Sequence, residues 1–283
     1  MSTMVFKLGK SGMCCNTNHY IHACGYADAY KLDIKPIWKG GVYAPPGKDA
    51  WPQFFKRPQC RGSVVQTLTR SSPLLTDFDF AAPRGDILPK HYRDKYKCST
   101  VLMPPRSRQR ANQLITKHIK LQRNLADQIN GFAAQHLAGR HVVGLHLRGP
   151  LRFHGGAIYF SDQLNCGHPS YPAYFREVDK RLQDDSVILL CTDAGAVVET
   201  VQERYGDRVV VPSKILPKKG EPHLAKKFKP YDLGVDVLSD AYLLAKSDIF
   251  VHGNSNVANF VLCLAPKMPH ADIYGHLYHK PKK

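Results

Sequence analysis

The chain has 283 residues, 43% hydrophobic and 22% charged, and its 40 Lys and Arg against 23 Asp and Glu give a formal net charge of +17. This composition is that of a globular protein, and it excludes a membrane-spanning one because no apolar run approaches the roughly 18 residues that a span requires. The first residues lack the apolar segment of a secretory signal, so we expect a cytoplasmic protein or the soluble part of something longer.

The first half of the sequence begins like a Rossmann fold. A strand at residues 5–8, a helix at 16–31 and a strand at 32–38 form a β-α-β unit. Residues 39–105 are rich in Pro, Gly and aromatic residues, and we interpret them as loops and short elements that line a cleft. A long helix is predicted from 107 to about 137, because apolar residues recur there at intervals of three and four.

The second half alternates strands and helices. The pattern predicts strands at 141–147, 186–191, 208–212 and 248–252, and helices at 171–182, 195–204, 233–246 and from about 256. Strands that alternate with helices of this length imply a parallel sheet with right-handed crossovers. The change of pattern near Gly139 places a domain boundary there. We therefore predict an α/β protein with two Rossmann-like domains, residues 1–139 and 140–283.

Polar residues follow three strands of the second half, where each strand ends. They are His146 and Arg148 after the first, Thr192 and Asp193 after the second, and Asn254, Ser255 and Asn256 after the last. Ligands of open parallel sheets bind beyond the carboxyl ends of the strands. An arginine and the N-terminus of a helix are both suited to phosphate. The sequence therefore predicts an anion site at this edge.

Each of these residues also has a structural alternative. Arg148 could pair with a carboxylate such as Asp193, and Ser255 and Asn254 are good helix N-caps without any ligand. Thr192 and Asp193 could cap the 195–204 helix, and His146 could be a hydrogen-bonded core histidine. Their convergence on one edge of one sheet favours the ligand interpretation.

The charge and the cysteines narrow the partners further. Lysines concentrate at 216–230 and in the terminal HKPKK without a nucleic-acid-binding motif, so we expect no nucleic acid but leave open a peripheral membrane contact through the basic tail. Eight cysteines without a CxxC pair predict reduced core thiols, with Cys191 and Cys263 as the clearest examples. No histidine motif of a metalloenzyme is present, and we expect no metal.

Three ordered motifs within residues 141–266 resemble the fucosyltransferase superfamily that includes α-1,6-, nodulation-factor and protein O-fucosyltransferases. They are VGLHLRG, the TD pair at 192–193, and the stretch from Asp240 to Val257. The resemblance implies a GT-B-like fold whose second domain binds GDP-fucose without a metal or other cofactor, while the first faces the acceptor. It also implies that Arg148 and Ser255 contact the donor phosphates and that His146 and Asp240 contact guanine.

The sequence departs from that superfamily just after Arg148. Members often have H-x-R-R-x-D, whereas Gly149 and Leu151 occupy the last Arg and Asp positions here. Arg152 compensates for the missing charge, though not for its position. The loop to Gly156 contains no carboxylate, so the base that would deprotonate an acceptor hydroxyl is His154, Asp28 or Asp49, with His154 nearest in sequence.

The predicted function is thus an inverting transfer of fucose or a related sugar from GDP-fucose to a glycan, glycolipid or glycoprotein, with Arg148 and His154 as catalytic residues. The alternative is a catalytically silent nucleotide-sugar- or glycan-binding protein of the same fold. An aromatic set in the first half has two interpretations, a platform for the acceptor or packing onto its own domain. Its members are Tyr43, Trp51, Phe54 and Phe55.

Overall fold

The computed structural model describes residues 2–76, 102–147, 171–212, 215–216, 228–253 and 255–273. Within these ranges the chain forms two β-sheets, of three and five strands, with helices packed against them. All pairings between their strands are parallel. The predicted α/β class is therefore confirmed.

The first sheet has the strand order β2-β1-β3. Its elements are β1 (Thr3–Lys7), α1 (Met13–Ala29), β2 (Asp33–Ile37), α2 (Trp51–Phe54), β3 (Val64–Thr69) and α3 (Pro73–Thr76). The predicted Rossmann-like start is confirmed, with boundaries that shift by up to three residues. The strand β3 lies in the stretch that we interpreted as loops and short elements.

The predicted long helix is wrong as a single element. The structure has two helices instead, α4 (Pro105–His118) and α5 (Arg123–His136). Between them the backbone pairs with the loop after α2, since Lys56 N–H donates to the Lys120 carbonyl at 2.7 Å and Gln122 N–H donates to the Phe54 carbonyl at 2.8 Å. Hydrogen bonds to a distant segment thus replace one helical turn.

The second sheet has the order β6-β5-β4-β7-β8. Its strands are β4 (Val142–His146), β5 (Val187–Cys191), β6 (Val209–Val210), β7 (Ile249–His252) and β8 (His270–Asp272). The accompanying helices are α6 (Tyr171–Asp179), α7 (Gly195–Tyr205), α8 (Pro230–Leu244) and α9 (Asn256–Leu264). All the predicted elements of this half are present, and β8 is an additional strand that the sequence analysis missed.

Alternate residues of the second sheet face two separate cores. Val143, Leu145 and Val251 pack with α6 and α7 on one face. Val142 and Phe250, on the other face, belong to a single core that also contains Phe6 and other residues of the first half. The predicted domain boundary stays a prediction, but it divides two sheets that share one hydrophobic core.

The aromatic set of the first half packs inside this shared core. Tyr43, Trp51, Phe54 and Phe55 are all buried, which makes packing the correct interpretation and an exposed platform the wrong one. Phe54 reaches α8, where its ring stacks on Tyr231 at a centroid distance of 5.6 Å. Aromatic side chains of the first half therefore help to attach it to the second.

The cysteines behave as predicted where the structure describes them. Cys14, Cys24, Cys191 and Cys263 are free and buried, and the described Cys15 and Cys60 are free and partly buried. Within the part of the chain that is described, no helix has the length and apolarity needed to cross a membrane.

Candidate functional site

Four polar side chains stand in a row at the carboxyl edge of the second sheet. In the strand register His146 is the partner of both Cys191 and His252, and His252 is the partner of Asp272. The row lies on the face of the sheet that carries the shared core, because its neighbours Val142, Leu189 and Phe250 belong to that core. This edge therefore faces helices of both halves.

The row crosses the point where the strand order reverses. Successive strands extend from β4 to β5 and β6 on one side, while β7 and β8 lie on the other. Connections that leave a parallel sheet in opposite directions open a crevice between the two central strands. His146 and His252, at the ends of β4 and β7, flank that crevice.

Helix α9 begins directly beyond β7. Ser255 is its N-cap, with an Oγ that accepts a hydrogen bond from Ala258 N–H at 3.0 Å. The Asn256 carbonyl accepts a hydrogen bond from Asn18 Nδ2 of α1 at 3.1 Å. The predicted capping role of Ser255 is thus observed, and the helix start is fastened to the first half of the chain.

The residues after β5 line the same edge. Thr192 is buried, and its Oγ1 accepts a hydrogen bond from Ala194 N–H at 3.4 Å in the turn that precedes α7. Asp193 lies near Tyr171, whose pKa is raised first by burial and then by the charge of Asp193. Thr192 therefore has a local structural role, and Asp193 remains partly exposed at the edge.

Asp240 approaches the row from α8. The Cys191 thiol, at the end of β5, lies 4.0 Å from the Asp240 carbonyl oxygen, to which it donates. The charge of Asp240 also contributes to the raised pKa of Cys14 in α1, after the larger effect of burial. Asp240 thus lies next to Cys191, the register partner of His146, and its predicted contact with guanine stays a prediction.

Four predicted residues lie outside the described part of the chain: Arg148, Arg152, His154 and Asn254. Their roles stay predictions. The chain is described up to Leu147, whose N–H donates to the Cys191 carbonyl at 3.2 Å. In the sequence, Arg148 comes directly after Leu147 and two residues after His146.

The other two candidate bases have structural roles. Asp28 binds Lys117, Arg110 and His118. Burial raises the pKa of Asp28, but hydrogen bonds from Lys117 and His118 outweigh that effect and leave it below its usual value. Asp49 accepts hydrogen bonds from Trp38 N–H at 2.9 Å and from Trp51 N–H at 3.1 Å. His154 thus remains the candidate base.

Sequence analysis assigned no role to three residues beside the site: Arg108, His252 and His270. His252 is completely buried, and burial, followed by the neighbouring His270, lowers its pKa to about 3. Burial and Arg108 lower the pKa of His270 to about 4. The sequence analysis missed Arg108 because it belongs to a cluster of basic residues, a pattern typical of a solvated helix face. It missed His270 because the strand β8, which carries this residue, was not predicted.

A separate cavity of about 520 Å³ lies between α5, α8 and the α4–α5 connection, where Lys56, Lys120 and Lys246 are among its lining residues. It contains none of the predicted site residues. Among the described residues, no group of three or more His, Cys, Asp or Glu side chains is arranged to hold a metal ion.

Comparison with known proteins connects this edge to a family. The family model of nodulation protein Z (NodZ) matches residues 93–274, whereas a search of curated proteins gives no match. Among solved structures, NodZ from Bradyrhizobium has a TM-score of 0.58 at 18% identity, over 95% of this chain and 92% of that one. A NodZ α-1,6-fucosyltransferase soaked with GDP-fucose has a TM-score of 0.57 at 17% identity, over 94% and 92% of the two chains. POFUT1 in complex with GDP has a TM-score of 0.55 at 11% identity, over 95% and 98%.

The structural neighbours share the fold, and the family model adds the sequence relationship. The matched segment 93–274 covers more than half of the chain and includes all the donor-binding residues that the sequence analysis predicted. The resemblance to the fucosyltransferase superfamily is therefore confirmed, and this chain belongs to the NodZ family.

Proposed function

We propose that the chain is an inverting glycosyltransferase that transfers fucose from GDP-fucose to a hydroxyl group of a glycan, glycolipid or glycoprotein. The observation that carries this proposal is the polar edge of the second sheet. His146, Thr192, Asp240 and Ser255 gather there, at a reversal of strand order, inside the segment that matches the NodZ family. The NodZ α-1,6-fucosyltransferase of the same fold was crystallised and soaked with GDP-fucose.

The chemistry of sugar transfer explains why this edge is suitable. When the glycosidic bond to the nucleotide breaks, negative charge develops on the departing diphosphate, and fixed positive groups stabilise it most. We assign that task to the Arg148 guanidinium and to the backbone N–H groups at the start of α9. A guanidinium binds phosphate oxygens in a bidentate manner, and a helix N-terminus contributes donors and a favourable dipole.

Guanine recognition is assigned to Asp240 and His146. A carboxylate can accept hydrogen bonds from both N–H groups of the guanine edge, a pattern that adenine and uracil do not offer. Asp240 supplies the carboxylate, and Cys191 connects it to His146, because the thiol donates to the Asp240 carbonyl and Cys191 is the register partner of His146. Asp240→Asn should therefore weaken GDP more than UDP or ADP.

The acceptor hydroxyl requires a base in the inverting mechanism. We assign this role to His154, because it follows Arg148 closely and because Asp28 and Asp49 are engaged in structural hydrogen bonds. The imidazole would accept the hydroxyl proton as the oxygen attacks the sugar carbon from the side opposite the departing GDP.

The decisive experiment compares donor binding and donor consumption. A thermal-shift screen over GDP, UDP, ADP and their sugars should give the largest stabilisation with GDP, about 2.7 kcal/mol at 100 times its dissociation constant. A turnover assay with GDP-fucose then follows. Arg148→Ala should reduce turnover by about 100- to 1000-fold without unfolding the protein.

Arg123→Ala is the matched control, because the Arg123 side chain is 90% exposed on α5 and distant in sequence from the site. Near-normal turnover in Arg148→Ala would end the proposal. Donor binding without any consumption, tested against several glycan acceptors, would instead support the catalytically silent binding protein. A steep salt-dependent affinity for DNA or RNA in place of nucleotide binding would contradict both.

A further inference from the structure

A buried chain of polar groups runs from the start of α4 to the turn between β7 and α9. Arg108 Nε donates to the Met103 carbonyl at 2.7 Å, and Arg108 Nη1 lies 2.8 Å from His270 Nε2. His270 Nδ1 lies 3.1 Å from His252 Nε2, and His252 Nδ1 lies 3.0 Å from the Gly253 carbonyl oxygen. Residues from three distant parts of the sequence thus converge on one peptide group.

The chemistry of these groups fixes where each hydrogen lies. A guanidinium only donates, so His270 Nε2 must accept, and its proton is on Nδ1. His270 Nδ1–H then donates to His252 Nε2, which leaves the remaining proton of His252 on Nδ1 to donate to the Gly253 carbonyl. Only one arrangement of two neutral imidazoles satisfies all three contacts, and all the donors point toward the turn.

The buried position of Arg108 makes a purely space-filling role unsuitable. Its residue exposure is 6%, and burial lowers its pKa, with Asp272 and Cys263 acting in the opposite direction. Apolar side chains can often replace buried charged groups without loss of stability, so the stability of the fold alone does not require an arginine at this position. We call the hydrogen-bonded chain of Arg108, His270 and His252 the relay. It ends on the carbonyl of Gly253, two residues before the N-cap Ser255.

The helix start is held from the other side as well. Asn18 of α1 donates to the Asn256 carbonyl at 3.1 Å. Asn259, one turn further along α9, accepts a hydrogen bond from Met103 N–H at 2.9 Å, and Met103 is also the residue whose carbonyl binds Arg108. The N-terminus of α9 is therefore fastened at Gly253 by the relay and at Asn256 and Asn259 by the first half of the chain.

We propose that Arg108, His270 and His252 are positioning residues that hold Gly253 and the start of α9 in the conformation that binds the diphosphate of a nucleotide. This inference rests on the proposed function, and it assigns a task to residues that do not touch the donor. Without these hydrogen bonds the Gly253 carbonyl is free to change its orientation. The N–H groups at the start of α9 would then no longer point toward the phosphates.

The test compares GDP with guanosine in calorimetric titrations of the full chain. His252→Phe keeps an aromatic ring but removes both nitrogens, whereas His252→Asn keeps a donor near the position of Nδ1. We expect His252→Phe to weaken GDP binding by about tenfold or more, which corresponds to the loss of one charge-assisted hydrogen bond between a backbone N–H and the diphosphate. Guanosine binding should change by less than about twofold, because the base site is untouched, and His252→Asn should recover most of the GDP affinity.

Arg108→Lys is the second variant, in case the phenylalanine prevents folding. Lysine keeps the charge but cannot bond the Met103 carbonyl and His270 together in the same geometry. It should show the same selective loss of GDP affinity. His136→Phe is the matched control, since the His136 ring packs at a tilt against Phe132 on α5 and takes no part in these hydrogen bonds, and it should bind both ligands as the unmodified protein does.

Two other results would overturn the inference. If both folded variants bind GDP as tightly as the unmodified protein, or lose GDP and guanosine equally, the relay has no positioning role toward the diphosphate. If the unmodified protein itself binds no guanine nucleotide, the proposed function fails, and the inference fails with it.

Discussion

The ring of Phe54 lies directly over Gly234 of α8, so that a methyl group added to the glycine would come within 2.2 Å of the ring. Phe54 is completely buried, and its position is fixed further by its stacking on Tyr231. Because Gly234 has no side chain, Phe54 of the first half can pack directly against α8 of the second half.

Gly234→Ala should therefore lower the free energy of unfolding by about 1–3 kcal/mol, because overpacking forces the ring from its place. The matched control is Gly131→Ala in α5, where an added methyl group meets nothing within 4 Å. Alanine at an exposed helical position should raise stability by about 0.5–1 kcal/mol. Urea unfolding measures both, and equal effects of the two variants would contradict the packing argument.

Ser255 offers a way to separate helix capping from ligand binding. Ser255→Asp should retain the N-cap hydrogen bond to Ala258 N–H and the stability of the protein, since Asp caps helices as well as Ser does. Its negative charge should repel a diphosphate, so GDP affinity should fall by at least about tenfold. Ser255→Ala should instead lower stability by about 1 kcal/mol.

Ser255→Thr is the control for both effects and should preserve capping and binding. Thermal unfolding and GDP titration of the three variants give the result. Unchanged GDP affinity in Ser255→Asp would show that the diphosphate does not approach this end of α9.

Acid should destabilise the protein through the buried histidines. The pKa values of His252 and His270 are lowered from 6.5 to about 3 and about 4, so the folded state keeps both neutral while the unfolded chain takes up protons. Their contribution to stability is fully present above pH 6.5 and is lost as the pH falls toward 4. The loss approaches about 1.4 kcal/mol per pH unit for each histidine.

Urea unfolding at pH 7.5 and pH 5 measures this dependence. Besides Arg108 and His270, His146 lies within electrostatic reach of His252, so the variant must be compared with the unmodified protein at each pH. His252→Asn should show a smaller loss of stability between the two pH values. A loss equal to that of the unmodified protein would mean that folding does not lower the pKa of His252.

Asp28 should prove structural. Asp28→Asn leaves Lys117, Arg110 and His118 without their common carboxylate, and we expect stability to fall by about 1–2 kcal/mol while fucose transfer continues. The difference in stability should narrow at high salt, because these cations are partly exposed. His154→Ala, by contrast, should lose turnover. Loss of turnover in Asp28→Asn with intact folding would restore Asp28 as a candidate base.

Most of the polar edge could be predicted from the sequence because His146, Thr192 and Ser255 stand at or just beyond the ends of apolar strands. His146 and Thr192 stand at the ends of short apolar runs that alternate with helical segments, and the parallel topology then brings such residues to one edge. No knowledge of packing was needed for this step, since the order of strands and helices determines it.

Features that depend on distant contacts were not predictable in this way. The break between α4 and α5 depends on backbone pairing with residues 54–56, and nothing in the local periodicity marks it. Arg108 and His270 meet only because the three-residue strand β8 returns beside β7. The burial of Trp51 and Phe54 likewise required the position of α8, since a Pro-rich aromatic loop is compatible with either exposure or packing.

The continuous interior that joins the two sheets has a practical consequence for engineering. If the chain were cut near residue 139, each fragment would expose its part of the shared hydrophobic core to water. Phe6 and Trp51 would become exposed in the first fragment, and Phe250 and Phe260 in the second. We expect such fragments to be insoluble when produced alone and to reassemble when they are co-expressed.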